Sequence, residues 1–229
     1  MVVYLYSHQN LLNHNLKRCN LDSLKIVKSI CKFPLPSYLE AIEYGEKYLD
    51  EYGISKNKFI FSHFWAHVIH ETQHLQKQYE NLNYSAQGLV NTWPSRFKPK
   101  GPHDPFLYAK NPVKIANLVY GGRMGNDKVG DGWKFRGRGF VNLTGKDMYR
   151  TISQSLKKTY KDFPDIVEDP ELVLKKEYAV LIACEFYNSK GCPALALKDD
   201  IVAETKLLNG GSNGLKEREN LLSIIKKKV

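Results

Sequence analysis

The sequence predicts a mainly α-helical fold with one small β element. Several segments repeat apolar residues at helical spacing and begin near capping residues, whereas one short segment alternates as a strand does. Long stretches rich in Gly, Pro, Asn and Asp lie between them and indicate ordered loops. With 229 residues, of which 42% are apolar and 25% charged, the chain has the composition of a globular protein with a sizeable core.

The N-terminal quarter divides at two prolines. Residues 1 to about 35 show no regular pattern and end at Pro34 and Pro36, which do not fit the interior of a helix. The next segment predicts a helix that starts with Ser37 as its N-cap and stops at Gly53. Its apolar face is formed by Leu39, Ile42, Tyr48 and Leu49.

Residues 57–76 predict a buried helix that reaches the surface at its end. Apolar and aromatic residues fill its first two-thirds, and polar residues follow. Long loops come next, interrupted by a short helix at about 111–120. Because such long loops in a compact domain are usually functional, we expect the chemistry where the buried helix emerges.

The β element is predicted at residues 133–145, where alternation and two glycines indicate a short hairpin or bent strand. Gly137 and Gly139 would allow a close backbone approach or a bend, since no phosphate-binding glycine pattern follows. Thr144 is the expected N-cap of a helix over 145–157. Further helices are predicted over 170–188, 199–208 and 215–227, with Asp169, Asp199 and Asn213 near their starts.

Charge and composition limit the partners. Thirty-four Lys and Arg against 24 Asp and Glu give a net charge of +10, which favours polyanions such as nucleic acid, anionic lipid or wall polymers. The lysines at 226–228 are compatible with nucleic acid, but the basic residues are scattered, so we expect no nucleic-acid partner.

Targeting signals and cysteines point to synthesis in the cytoplasm. The sequence shows neither a secretory signal pattern nor about 18 consecutive apolar residues, so we expect no signal peptide and no stable membrane insertion. The four cysteines lie far apart without a CxxC pair, which predicts reduced thiols.

Glu71 and Glu80 are candidates for a catalytic carboxyl pair. Glycoside hydrolysis needs one protonated carboxyl group as acid and one ionised group. Glu71 follows the apolar run FWAHVIH, so we expect burial to keep it protonated, whereas Glu80 lies among polar residues. Nine residues of continuous helix would separate the two side chains by roughly 13 Å along the axis on opposite faces. A working pair therefore requires the helix to end between them.

The segment HETQH offers a competing zinc-peptidase interpretation. On a helix, His70 and His74 would lie one turn apart as zinc ligands, with Glu71 as the base and Glu80 near the place of a third ligand. Lys77 stands where the extended motif needs a turning glycine. The short motif fixes only three positions, so we expect no metal. His63, His67 and His74 are then expected to be core or helix-face histidines.

An ordered series of motifs resembles glycoside hydrolase family 19, and within it the phage and prophage endolysin branch. The likeness runs from about Phe61 to Arg218, and residues 1–55 carry none of it. Its motifs are HET with a glutamate nine positions after Glu71, ENLNYSAQGL, TWPSRF, YAKNP, VYGGRMGN, GDGWKFRGRG, NLTG and NGGSNGL. The resemblance implies a lysozyme-like, mainly helical fold with a substrate cleft and hydrolysis with inversion. It implies peptidoglycan glycan strands as the substrate, or chitin oligomers, and no metal or organic cofactor.

The resemblance also implies roles for individual residues. Glu71 is similar to the general acid, Glu80 to the general base, and Thr144 to the hydroxyl residue that holds the water. Asn209 resembles the residue that binds the acetamido group, unless it only ends a helix, and Arg218 the one that steadies the carboxyl groups, unless it is a solvated charge. Further substrate contacts are expected from His70, Tyr84, Ser85, Trp93, Arg96, Tyr108 and Asn142, although Trp93 would serve equally as a loop anchor.

One departure concerns Asn142, which stands where the family pattern has Gln. The shorter amide puts the sugar preference in question and is a hint toward a third possibility, a wall-binding module or inactive homologue. We expect residues 1–55 to form an extension and a lead-in helix packed on a catalytic domain at 56–229. We expect a monomer that acts at the cell wall or periplasm, after release by a holin-like partner or delivery by a secretion apparatus.

Overall fold

The fold is mainly α-helical. A computed structural model describes residues 21–229, so the predicted irregular stretch before residue 21, and Cys19 with it, lie outside the described range. Within residues 21–229 there are eleven α-helices and two 3-10 turns, the latter at Pro105–Leu107 and Pro170–Leu174. The α-helices are α1 Ser23–Ile30, α2 Pro36–Glu51, α3 Lys58–Glu71, α4 Ala86–Thr92, α5 Pro112–Tyr120, α6 Asp131–Lys134, α7 Lys146–Thr159, α8 Ala179–Ser189, α9 Cys192–Ala196, α10 Ile201–Asn209 and α11 Leu215–Lys226.

Side-chain caps fix several helix starts. Asn57 accepts hydrogen bonds from the backbone N–H groups of Phe59 and Ile60 at the start of α3, and Asp200 accepts one from Ala203 at the start of α10. Such caps satisfy N–H groups that have no partner within the helix. These two helices therefore begin at defined residues.

Two predicted N-caps, Ser37 and Thr144, differ from the structure. Ser37 lies inside α2, because Pro36 already occupies the first turn, where its fixed φ suits a helix start. The residue before α7 is Gly145 at φ 87°, and Thr144 donates instead to the carbonyl of Asn142. Asp199 and Asn213 lie near the starts of α10 and α11, as expected, and the residues directly before the two helices are Asp200 and Gly214.

Two helix boundaries also need correction. Helix α1 was not predicted at all, because a helix of two turns is too short to show a clear apolar period. In the structure, the side-chain cap of Asp22 and packing against α2 stabilise this helix. The helix predicted over 170–188 is a 3-10 turn followed by α8, because the continuous apolar run starts only at Ala179.

The predicted β-hairpin is reduced to isolated bridges. Arg138 and Leu143 exchange both backbone hydrogen bonds, at 3.3 and 2.8 Å, and Arg138 also pairs with Tyr79. Gly139 between them has φ 76°, a conformation that glycine adopts without strain. Within residues 21–229 this segment is therefore a tight loop, and no extended strand forms there.

One large core holds most of the helices together. It combines apolar side chains of α1, α2, α3, α8 and α11, and α3 lies at its centre with every residue from Phe61 to Ile69 buried. Helices α1 and α2 thus share the core of the later helices, and a domain boundary at residue 55 stays a prediction. The free thiols of Cys31, Cys184 and Cys192 are buried in the same core.

Two smaller clusters support the remainder. One packs α7 against α8, and the other holds the loops between residues 82 and 120 around Leu89, Phe97 and Ile115. No helix in the described part of the chain combines the length and the hydropathy needed to cross a membrane.

Helices α2 and α8 lie close together at Gly45. A Cβ atom at this position would overlap the buried side chain of Val180. Glycine inside a helix costs about 1 kcal/mol relative to alanine, so only the close approach justifies it. The contact between Gly45 and Val180 packs α2 directly against α8.

Gly45→Ala should lower the free energy of unfolding by about 1–3 kcal/mol, because the added methyl group must push the helices apart. Urea denaturation followed by circular dichroism measures this change in the free energy of unfolding. Glu43→Ala, at an exposed position of the same helix, is the control and should change stability by less than about 0.5 kcal/mol. A Gly45→Ala protein more stable than the original would contradict this packing.

Candidate active site

Helix α3 ends at Glu71 in an unusual turn. Gln73, His74 and Leu75 all have positive φ values, of 48°, 59° and 61°. For residues other than glycine this left-handed conformation costs about 1–2 kcal/mol per residue. The turn reverses the chain immediately after Glu71, so the helix ends between the two candidate glutamates.

Several contacts hold the strained turn. The hydroxyl of Thr72 accepts a hydrogen bond from the backbone N–H of Leu75 at 3.0 Å, and the side chain of Leu75 is fully buried. The N-terminal part of the chain contributes directly: the N–H of Leu35 donates to the carbonyl of Leu75 at 2.9 Å, and the hydroxyl of Tyr38 donates to that of Lys77 at 2.7 Å. The start of α2 is thus part of the support of the site.

The segment after the turn pairs with the glycine-containing loop. The N–H of Gly139 donates to the carbonyl of Gln78 at 2.9 Å, and the N–H of Glu80 donates to that of Gly137 at 3.0 Å. These bonds fix the backbone on which Glu80 is carried. Glu80 therefore has a defined position relative to the end of α3.

Glu71 and Glu80 line the same cleft, which has a volume of about 660 Å³. The cleft is mostly polar and is formed by the end of α3, the turn, the segment 79–84, one residue of the glycine loop and one of α11. Its lining consists of His70, Glu71, Gln73, His74, Lys77, Tyr79, Glu80, Asn81, Asn83, Tyr84, Asn142 and Glu217.

Glu71 is half-buried and contacts a fully buried arginine. Its side chain is 21% exposed, and Nη2 of Arg218 donates to its Oε1 at 2.5 Å. The apolar run before Glu71 does pack in the core, but the carboxyl group itself lies at the edge of the cleft beside a positive charge. The purely apolar environment expected for Glu71 is therefore replaced by a guanidinium contact, and Arg218 is not a solvated charge.

Glu80 is held through both carboxyl oxygens. The backbone N–H of Gly137 donates to Oε1 at 2.5 Å, and the hydroxyl of Tyr120 donates to Oε2 at 2.6 Å. Burial, together with the charge of Glu80, raises the pKa of Tyr120, so its phenol stays protonated and remains a donor. The two donors therefore fix the orientation of the Glu80 carboxyl group.

The glycine loop brings three polar groups together beside Glu80. A side chain at Gly137 would overlap Oδ1 of Asn142 and come within 2.9 Å of Oγ1 of Thr144. Asn142 has φ 48° and lines the cleft, and the hydroxyl of Thr144 donates to its carbonyl at 2.8 Å. Thr144 thus lies next to the backbone group that binds Glu80.

His70 and His74 share one acidic partner on α11. Nδ1 of His70 lies 2.9 Å from Oε2 of Glu217, and Nε2 of His74 lies 3.6 Å from Oε1 of the same residue. A side chain at Gly214 would overlap the ring of His70. The ring of His70 therefore packs against the start of α11 on one side and lines the cleft on the other.

The helical condition of the zinc interpretation is not met. An HExxH site needs both histidines on one continuous helix, whereas α3 ends at Glu71 and His74 is in the left-handed turn. Among residues 21–229, no group of three or more His, Cys, Asp and Glu side chains is arranged to hold a metal ion.

Four of the predicted contact residues lie outside the lining of the cleft and make structural contacts. Ser85 caps α4, and Trp93 packs edge-on against Tyr84, which does line the cleft, with ring centres 5.0 Å apart. Arg96 donates to the carbonyl of Leu118, and Tyr108 packs on Phe97. Their contact with substrate stays a prediction.

Asn209 lies beside Glu71 on the other side of α3. It is the last residue of α10, and its amide donates to the carbonyl of Asn213 at 3.1 Å. Together with Glu71 it borders a small, mostly apolar hollow of about 30 Å³. Gly210, with φ 68°, provides the helix C-cap, and the Asn209 side chain instead bonds to the loop before α11; its contact with substrate stays a prediction.

Sequence reasoning missed several residues that surround the carboxyl groups. His67 was expected to be a core histidine and contacts Arg218; its position one turn before Glu71 on α3 was the signal for it. Glu217 is adjacent to Arg218 in the sequence. Tyr120 and Glu204 gave no signal, because only the folded chain brings them near the site.

Comparison with known proteins identifies the family. No family model matches the chain. A "Glycosyl hydrolase family 19 domain-containing protein" of Haemophilus influenzae is 34% identical over 164 residues, which cover 71% of this chain and 76% of that protein. At this identity and coverage the resemblance seen in the motifs is shown: the chain belongs to glycoside hydrolase family 19.

Proposed function

We propose that the chain is an endolysin-type peptidoglycan hydrolase that cleaves β-1,4 glycosidic bonds with inversion. The observation that carries the proposal is that Glu71 and Glu80 line one cleft in different environments, within a chain of this family. One carboxyl group contacts a buried guanidinium, and the other accepts hydrogen bonds on both oxygens. Two carboxyl groups with different roles are what glycoside hydrolysis requires.

In the proposed mechanism Glu71 donates a proton to the departing glycosidic oxygen. As Glu71 becomes negative, the guanidinium of Arg218 at 2.5 Å stabilises the new charge. Because α3 and α11 hold Arg218 fully buried, this stabilisation is already in place before the reaction.

Glu80 is the proposed general base. Its carboxylate, fixed by Gly137 and Tyr120, takes a proton from a water molecule that attacks the opposite face of the sugar. Thr144 lies beside Gly137 and is proposed to help orient that water through its hydroxyl group, which can both donate and accept. A single displacement of this kind inverts the anomeric configuration.

The net charge of the chain favours peptidoglycan over chitin. Chitin is uncharged, whereas peptidoglycan strands carry carboxylate groups, which the net charge of +10 attracts. Lys77 lines the cleft and supplies a positive charge at the binding surface. We further propose that a monomer acts at the cell wall after release or delivery. A chitinase of the same family is the alternative.

Glu71→Gln and Glu80→Gln should each lower kcat about 10²–10⁴-fold, because the amides keep the shape but cannot transfer the proton. Release of reducing ends from purified peptidoglycan measures this. Glu219→Gln, an exposed change on α11, is the control and should retain full activity. Normal turnover by Glu71→Gln would remove the proposed acid.

Digestion should proceed unchanged in EDTA, because Glu71 protonates the departing oxygen and Glu80 takes the proton of the attacking water. The products should have inverted configuration, because the water attacks the opposite face of the sugar in one displacement. Proton NMR of the first products from a soluble glycan oligomer reports the anomer. Loss of cleavage on chelation that zinc restores would instead support the peptidase interpretation, and retained configuration would reject the single displacement.

Peptidoglycan should release new reducing ends, and chitin hexamer should be cleaved at least about tenfold more slowly, a difference of about 1.4 kcal/mol in transition-state binding. Mass spectrometry of the released muropeptides identifies the bond, and Glu71→Gln serves as the background. Faster cleavage of chitin would assign a chitinase. Wall binding without new reducing ends would assign a binding module.

A further inference from the structure

A chain of buried polar groups extends behind the cleft from Glu71 into the core. Arg218 is fully buried, and its guanidinium has two partners on α3: Nη2 donates to Glu71 at 2.5 Å, and Nη1 lies 2.8 Å from Nδ1 of His67. His67 is itself only 4% exposed. The side chain that faces the proposed acid is therefore oriented from behind by a second buried group.

The hydrogen bonds determine the protonation of His67. A guanidinium can only donate, so Nδ1 of His67 must accept and carries no proton. Its Nε2 then carries the proton and donates to Oε2 of Glu204 at 3.2 Å. Burial lowers the pKa of His67, which agrees with a neutral ring.

Glu204 is the buried carboxylate that binds His67 on the side away from Arg218. Its side chain is fully buried and also accepts from His63 at 2.5 Å and from the hydroxyl of Tyr187 at 2.7 Å. Burial by itself raises the pKa of Glu204, but the hydrogen bonds from His63 and His67 lower it overall. Glu204 is therefore an ionised carboxylate with donors on both oxygens.

The chain of contacts ends at the surface. The second ring nitrogen of His63 lies 2.8 Å from Oδ1 of Asp199, so both of its nitrogens face carboxyl groups. Asp199 also pairs with Lys226 and is 45% exposed. The path therefore has a guanidinium at the end near the cleft and a carboxylate paired with an ammonium group at the surface, and polar partners limit the cost of burying its charges.

We infer that His67 is a positioning residue: as a neutral imidazole held by Glu204, it accepts a hydrogen bond from Arg218 and so aims the guanidinium at Glu71. The inference rests on the proposed role of Glu71 as the acid. A long arginine side chain has many rotamers, and two acceptors on one face of α3 select one of them. A displacement of about 1 Å at a reacting group can cost up to about 10²-fold in rate.

Substitutions at position 67 separate positioning from packing. His67→Gln keeps an acceptor for Arg218 and a donor for Glu204, so kcat should remain within about threefold, whereas His67→Leu removes both and should lower kcat about 10–100-fold with KM nearly unchanged. Ser62→Ala, which removes a buried hydroxyl of α3 that bonds only locally, should leave both constants unchanged. Equal kcat for the original, Gln and Leu proteins would overturn the inference.

The protonation of His67 is tested in the original protein, even where His67→Leu does not fold. Proton–nitrogen NMR spectra of the labelled protein at neutral pH should show His67, assigned by its absence from His67→Gln, with the proton on Nε2 only. A proton on Nδ1 would exclude the bond from Arg218. This readout does not use activity. Inactivity of the original protein on every glycan, combined with the expected spectrum, would reject the proposed function while retaining the network.

Discussion

The candidate site depends on the end of α3 at Glu71. Three left-handed residues follow it, and they reverse the chain so that Glu80 returns to the cleft that Glu71 borders. Their conformational cost of about 1–2 kcal/mol each must be balanced elsewhere. The burial of Leu75 in the main core and the bonds from the start of α2 provide that balance. The stability of the N-terminal helices and the geometry of the cleft are thus coupled.

Helix α3 carries both an aromatic part of the core and a set of buried polar side chains. One part of its surface carries Phe61, Phe64 and Trp65 in the aromatic core, and another carries two histidines and the glutamate that contact partners on α10 and α11. Because the helix is buried on all sides, each polar group needs a partner within the protein. The packing of α11 against α3 supplies Arg218 for this purpose.

Much of the fold followed from the sequence, because long apolar periods and turn residues are local signals. The periods of α2, α3, α7, α10 and α11 were visible, whereas α1 has only two turns, and the alternation at 133–145 arises from a loop rather than a strand. For the site, the spacing of Glu71 and Glu80 was readable, and the turn between them was required by helix geometry. The positions of Tyr120 and Glu204 near the site could not be predicted from the sequence. Tyr120 lies 40 residues after Glu80, to which it donates, and Glu204 lies 133 residues after Glu71.

Glu80 is bound in part by the main chain, whereas Glu71 is bound by the side chain of Arg218. One oxygen of Glu80 is bound by a main-chain N–H, a group that every residue except proline possesses, so no replacement of a neighbouring side chain can delete that donor. Asn142 and Tyr84, which line the same cleft, can therefore vary without removing this hydrogen bond to Glu80. The restriction falls on Gly137 itself, whose lack of a side chain leaves room for Asn142. The shape of the cleft beside Glu80 can in this way change while the main-chain donor to its carboxyl group stays in place.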